Sequence, residues 1–465
     1  MTDSLKSPIR VFLFFLFAIV STCFLLTLEY YRYREEYYCL ISCYEIVLIT
    51  YFFLVKKKDF DMFHPYHIFF VFYLCIFFYT PLLLIDAKNE LLCGLVNVMG
   101  GCVKGTIIAT FALIFYAVGY SSTKSKGGKP RTLTDVQLHY RKRKNLLRTS
   151  YVIYMISCVA SFLYLLKNGK SVLSILLMGA VTSRDIREYE SSDAMLFLIN
   201  ITYFMLVTWL FICTYSKSTN MKFLTSFILL AIFYAYGWRF IIDIMILAYS
   251  IVYFRVKNKK PKLKSLAILG AFLLMISVYV GATRNNIRSG NDIDFTGFTK
   301  ENISYTLESN FNIYQTYYAV VDYYPEKEDF YYGQACFLYP VIMWVPRALW
   351  PGKPFGKEFP AGQAVMKSVP EAFEIGAMSF PNLMEYYLDF GVIGVILFSY
   401  LIGVISKKMV SFYNSSSVYD VIVYSLFIGF SIQFINRGYI AQLITLFVFL
   451  FSPLLLYRRY FKLKT

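Results

Sequence analysis

The ionisable residues of this chain that could do chemistry sit at the borders of apolar runs, mostly in pairs four apart. Arg239 and Asp243 open one run, Arg284 and Arg288 follow another, Glu385 and Asp389 lead into a third, and Arg437 lies between two more. Residues four apart share one face of a helix. A carboxylate so placed can take the proton of an attacking hydroxyl, and a guanidinium binds phosphate through parallel N–H donors. Each group alone reads first as an interfacial anchor or a structural ion pair. Together the four arginines and the carboxylate pair describe an anion-binding cavity with an acid–base group beside it, because charge at membrane depth faces a cavity or a partner.

A second group of chemical residues lies between the apolar runs. The segment Pro346-Arg347-Ala348-Leu349-Trp350-Pro351-Gly352-Lys353-Pro354 stiffens a tryptophan-bearing turn with prolines and puts basic groups at its ends. Upstream, Tyr314, Tyr317, Tyr318, Tyr323, Tyr324, Tyr331 and Tyr332 are crowded together. Such rings stack on sugars or form an aromatic belt at the membrane surface. Other chemistry is missing. His64, His67 and His139 all fall on the side assigned below to the cytoplasm, and there is no phosphate-binding glycine loop ending in Gly-Lys-Ser/Thr. The cysteines give neither zinc spacing nor a disulfide framework. The triplets Asp59-Phe60-Asp61 and Asp292-Ile293-Asp294 are too short to define a metal site. We therefore expect no metal and no cofactor.

The elements that position these residues follow from composition. The chain has 465 residues, 58% of them hydrophobic and only 16% charged. A soluble domain carries about a quarter charged residues, so lipid must cover much of this surface. Runs of about 20 apolar residues make membrane spans. Twelve candidates occur, at 11–28, 38–55, 67–85, 92–119, 149–166, 194–215, 222–236, 239–254, 265–283, 388–406, 418–435 and 439–457. The first reads as a retained span, since no small-residue cleavage site follows it. Basic residues accumulate on the cytoplasmic side. With both termini inside, most of the 46 Lys and Arg fall there, accompanied only by Asp3, Asp59, Asp61, Asp135 and Asp420. Merging 222–254 into one span would put the basic run 255–264 outside, so a hairpin with its tip at Gly237-Trp238-Arg239 is expected. The net charge of +17 is then an inner surface facing anionic lipid, not a nucleic-acid site. The expectation is an all-α integral membrane protein forming a single polytopic domain over 1–465. It would have about twelve transmembrane helices and a large extracytoplasmic loop, about 284–387, between spans nine and ten. The shorter outer loop 167–193 carries an apolar piece, Val172 to Val181, that fits an interfacial or re-entrant helix.

The Pro-Arg-x-Leu-Trp-Pro-x-Lys-Pro segment resembles the large periplasmic loop of bacterial O-antigen and capsule repeat-unit polymerases of the Wzy type. So does the stretch Asn382 to Gly394, with Asp389 where many members carry Asn. The Gly237-Trp238-Arg239 tip is similar to a Gly-Ser-Arg turn of that family, and the Val280-Gly281-Ala282-Thr283-Arg284 exit also fits. The resemblance implies a glycosyltransferase of GT-C-like architecture in the bacterial inner membrane. It would join undecaprenyl-pyrophosphate-linked oligosaccharide repeats at the outer face into O-antigen or capsular polysaccharide. Its partners would be that lipid-linked glycan, membrane lipid and a chain-length regulator protein, and no nucleic acid. On this reading Arg239, Arg284, Arg288, Arg347 and Arg437 hold pyrophosphate. Glu385 is the base, Asp389 orients it, and Trp350, Tyr317 and Tyr318 meet the sugars. Two rival readings share the span count. A flippase or secondary transporter predicts short outer loops, internal pseudo-symmetry and broken helices at mid-membrane. A ligase or other lipid-linked-sugar transferase shares the layout, and the familiar ligases imply an outer histidine that this chain lacks.

Overall fold

The computed structural model describes residues 33–55, 61–82, 91–92, 95–124, 130–134, 140–167, 198–236, 239–259, 275, 313–346, 349–354, 358–371 and 379–461. The expected spans 11–28 and nearly all of 265–283 lie outside these residues, as do the apolar piece 172–181 and the pair Asp292/Asp294. The described chain is mostly helical. Its helices are α1 (Arg34–Leu54), α2 (Pro65–Leu82), α3 (Cys102–Ser122), α4 (Tyr140–Lys167), α5 (Tyr203–Tyr215), α6 (Thr219–Ala235) and α7 (Arg239–Val256). There follow α8 (Ile313–Tyr323), α9 (Pro360–Ser368), α10 (Asn382–Tyr413), α11 (Val418–Asn436) and α12 (Ile440–Phe461). Among the described residues, eight helices are long and apolar enough to cross a membrane. The runs 222–236 and 239–254 form two separate helices, α6 and α7, as the charge pattern requires. The former has 17 residues, and the latter carries Arg239, Asp243 and Arg255 within 18. The run at 92–119 begins differently from the expectation. Leu91–Leu92 (β1) pairs antiparallel with Val96–Asn97 (β2), and the Asn97 side chain then accepts the Met99 N–H at 2.9 Å, so the helix starts only at Cys102.

Burial follows the logic of a bilayer. Along α4 the side chains of Val152, Met155, Ile156, Val159, Phe162 and Leu163 are exposed, while Ser150, Ser157 and Ser161 are buried. Apolar groups gain nothing from leaving lipid, so helix association there relies on close packing and internal hydrogen bonds. The serines bond back to carbonyls four residues earlier, and Ser161 Oγ also meets Thr202 Oγ1 at 2.9 Å. The tightest helix pair is α3 with α10. A Cβ on Gly119 would stand 2.2 Å from the Tyr400 carbonyl oxygen, and one on Gly403 would stand 2.2 Å from that of Tyr116. Only glycine lets the two backbones approach so closely.

At the end assigned to the cytoplasm, Arg255 is buried. It donates to the carbonyls of Tyr413, Arg131 and Ser415, each at 3.0 Å. Part of the basic surplus therefore has a structural task, tying α7 to the loops at 131 and 413–415. At the opposite end α8 lies across the start of α3. A Cβ on Gly101 would stand 2.0 Å from the Tyr318 carbonyl oxygen, and Tyr317 donates its hydroxyl to the Gly105 carbonyl at 3.1 Å. This part of the expected large loop is packed into the core.

The helix α10 starts six residues before the expected span at 388–406 and is broken. Phe390 (φ −141°, ψ 20°) and Gly391 (φ 58°, ψ −146°) leave helical geometry. The glycine adopts a left-handed conformation that costs other residues energy. A Cβ there would also press on the Phe330 ring at 3.0 Å. The chain folds over at this break, so that Tyr386 stacks on Phe398 with ring centroids 4.6 Å apart. The short helix before the break carries both candidate carboxylates.

Candidate active site at a broken helix

Glu385 is buried, and its Oε2 accepts the backbone N–H of Ile440 at 2.9 Å. Ile440 is the first residue of α12, whose leading N–H groups have no partner within the helix. A carboxylate is well placed there because the helix dipole is positive at that end. The turn that leads into α12 is clamped to the same stretch of chain. Gly438 donates its N–H to the Phe380 carbonyl at 2.5 Å, and the Phe380 and Tyr439 rings lie 4.3 Å apart. Tyr439 sits at φ 63°. This is a strained conformation for a tyrosine, of the kind that persists where surrounding contacts enforce it.

Asp389 has no exposed surface. Its two carboxylate oxygens accept the N–H groups of Ala335 at 3.0 Å and Cys336 at 2.7 Å. These open a π-helical turn, Gln334–Leu338, that follows Gly333 at φ 91°. The backbone around Asp389 binds the same loop: Tyr331 N–H donates to the Leu388 carbonyl at 2.8 Å, and Tyr332 N–H to that of Asp389 at 3.1 Å. The two carboxylates thus hold different partners. Glu385 fixes the start of α12, and Asp389 fixes the loop at 331–336. Cys336 joins the two, its N–H on Asp389 and its thiol directed to the Glu385 carbonyl at 3.8 Å.

Arg437 is exposed and forms the junction between α11 and α12, three residues before the N–H that Glu385 holds. Arg239 reaches the same level by register. A Cβ on Gly429 would stand 2.7 Å from Ile244 Cγ2, so α7 and α11 touch there. They run antiparallel, and five residues onward toward the same end come Arg239 and Phe434. Arg239 therefore opens α7 at the end of the α7–α11 pair where Arg437 lies. The remaining candidates Arg284, Arg288 and Arg347 lie outside the described residues. Tyr317 and Tyr318 are fully buried, with Tyr318 meeting Thr106 Oγ1 at 3.0 Å, and Trp350 is partly exposed. No group of three metal-binding side chains occurs among the described residues.

Some members of the site are uncharged, and the sequence does not show what they hold. Asn382 accepts from the Tyr73 hydroxyl at 3.4 Å and donates to that of Tyr386 at 3.2 Å, fixing the short helix from below. Phe380 acts through a backbone carbonyl, and no residue type announces that.

A bundle of membrane-length helices, broken beside a buried carboxylate pair and an arginine-bearing junction, defines a polytopic membrane protein with a polar site at one end of its spans. Comparison with known families makes the assignment specific. The model of the family described as O-antigen polysaccharide polymerase Wzy matches residues 9–464, nearly the whole chain, and the chain belongs to that family. It is an O-antigen repeat-unit polymerase of the membrane, acting on lipid-linked oligosaccharide repeats. No curated protein and no solved structure matches it.

Proposed function

We propose that the chain transfers a growing glycan from undecaprenyl pyrophosphate to a new lipid-linked repeat at the outer face of the inner membrane, in the manner of a GT-C glycosyltransferase. The observation that carries this reading is the meeting of Glu385 with the α11–α12 junction, where Arg437 stands; Arg239 opens α7 at the same end of the helices. Two arginines and a carboxylate at one end of the helices suit a reaction in which pyrophosphate leaves and a sugar hydroxyl attacks. The arginines offset charge that grows on the leaving pyrophosphate. Glu385 takes the hydroxyl proton. Asp389 positions the short helix by gripping the loop at 335–336. Arg284 and Arg288 complete the pyrophosphate contacts; Arg347 belongs to the segment considered below and is not assigned to pyrophosphate here. Tyr317 and Tyr318 are packed too deeply to stack on a sugar without rearrangement, and Trp350 belongs to a segment considered below, so none of the three is assigned to sugar here.

The test is Glu385→Gln. The amide oxygen can still accept the Ile440 N–H, so the turn into α12 survives while proton uptake is lost. The variant should fold, insert and polymerise at least roughly a hundredfold more slowly, a typical loss for a positioned base. A stably inserted Glu385→Gln protein that makes long polysaccharide at the parent rate removes Glu385 as base.

A further inference from the structure

The segment 334–353 falls in the region that the sequence places in water outside the membrane, yet its ring contacts lie along the spans. Phe337 meets Phe398 of α10, centroids 5.8 Å apart, and Trp344 stacks on Phe449 of α12 at 6.3 Å and 7°. Phe398 precedes Lys407 by nine residues, and Phe449 precedes Arg458 by nine. Those cations mark the inner ends of their helices. Nine helical residues rise about 13 Å, and the hydrocarbon core is about 30 Å thick. Two independent anchors on two different spans therefore put this segment near mid-depth.

The segment is built for such a place. From Gln334 to Pro346 it carries no charge. Phe337, Leu338, Val341 and Leu349 are all at least half exposed, Val341 at 67%. Backbone at membrane depth must satisfy its own polar groups. Prolines 340, 346, 351 and 354 have no N–H to satisfy, and Trp344, Val345, Leu349, Trp350 and Lys353 donate theirs to nearby carbonyls within the segment. The carbonyls of Met343 and Val345 would be left over. Lys353, itself buried, donates Nζ to both, at 3.3 and 2.8 Å. At the other end Asp389 holds the N–H groups of Ala335 and Cys336.

We infer that the described residues 334–346 and 349–353 form a re-entrant hairpin wedged between α10 and α12. Its exposed face is covered by the hydrocarbon chains of membrane lipid, and its tip is closed by Lys353. Trp350 then meets acyl chains and not a sugar ring. This holds whichever residues perform the transfer.

The experiment places a nitroxide on Val341→Cys in the full chain, reconstituted in phospholipid vesicles, with Glu326→Cys as the surface control and unsubstituted protein carried through the labelling as baseline. Relaxation is measured with oxygen, which concentrates in hydrocarbon, and with a water-soluble nickel chelate. The label at 341 should respond to oxygen and little to nickel, and the label at 326 the reverse. Nickel access at 341 equal to that at 326 would overturn the insertion. Val341 is an exposed side chain, so its replacement leaves the packing intact. In a Lys353→Met background that elutes like the parent, the tip carbonyls lose their donor and nickel access at 341 should rise. Unchanged access there would overturn the role of Lys353.

Discussion

Glu385 and Asp389 share a helix face by spacing and yet do different work in the fold. One accepts an N–H from the start of α12, the other two N–H groups from a π-helical turn. Removing Asp389 leaves those buried donors without a partner, so its loss acts through structure; Glu385→Gln retains an acceptor and isolates the chemistry. The arginine makes a complementary case. Arg437→Lys keeps the charge and loses the planar fork, so polymerisation should fall about a hundredfold, or about 3 kcal/mol of transition-state stabilisation, with insertion unchanged. Parent-level polymerisation by Arg437→Lys would place the pyrophosphate elsewhere. The sequence announces Glu385, Asp389 and Arg437 because charged residues beside apolar runs stand out. It says nothing of Phe380, which acts through a carbonyl, and shows Asn382 only as the first residue of a motif and not as an amide bridge; it also draws attention to Tyr317 and Tyr318. Their density suggests a surface platform, but Gly101 just before α3 and Gly105 within it admit them to the core.

At the scale of elements, apolar runs predict where helices lie and fail at their ends. The pattern at 92–119 contains a hairpin capped by Asn97, and the run at 388–406 hides a helix that begins earlier and folds over at Gly391. A break of this kind needs a glycine in a left-handed conformation, and Gly391 looks in sequence like any other. The α3–α10 contact is likewise invisible until the partner backbone is seen. Gly403→Ala should cost about 1–3 kcal/mol, the usual penalty for overpacking. A thermal melt in detergent measures it. A Gly403→Ala protein as stable as the parent would mean that the two helices separate easily.

For the whole molecule, charge sidedness and span length set the expected topology, and Arg255 shows that one member of the basic surplus ties α7 to the loops at 131 and 413–415. The proposed site uses arginines to offset leaving-group charge. Polymerisation by the purified protein should therefore continue in EDTA. Loss of activity restored by magnesium or manganese would promote Asp292 and Asp294 to ligands. The central claim is that this chain alone forms the glycosidic bond between lipid-linked repeats. The direct measurement is to reconstitute the purified protein in vesicles with an undecaprenyl-pyrophosphate-linked repeat, then follow product length and released undecaprenyl pyrophosphate together. The expected product is a ladder of integral repeats with one lipid pyrophosphate freed per bond. Movement of the intact repeat across the bilayer with no ladder and no freed carrier would contradict it.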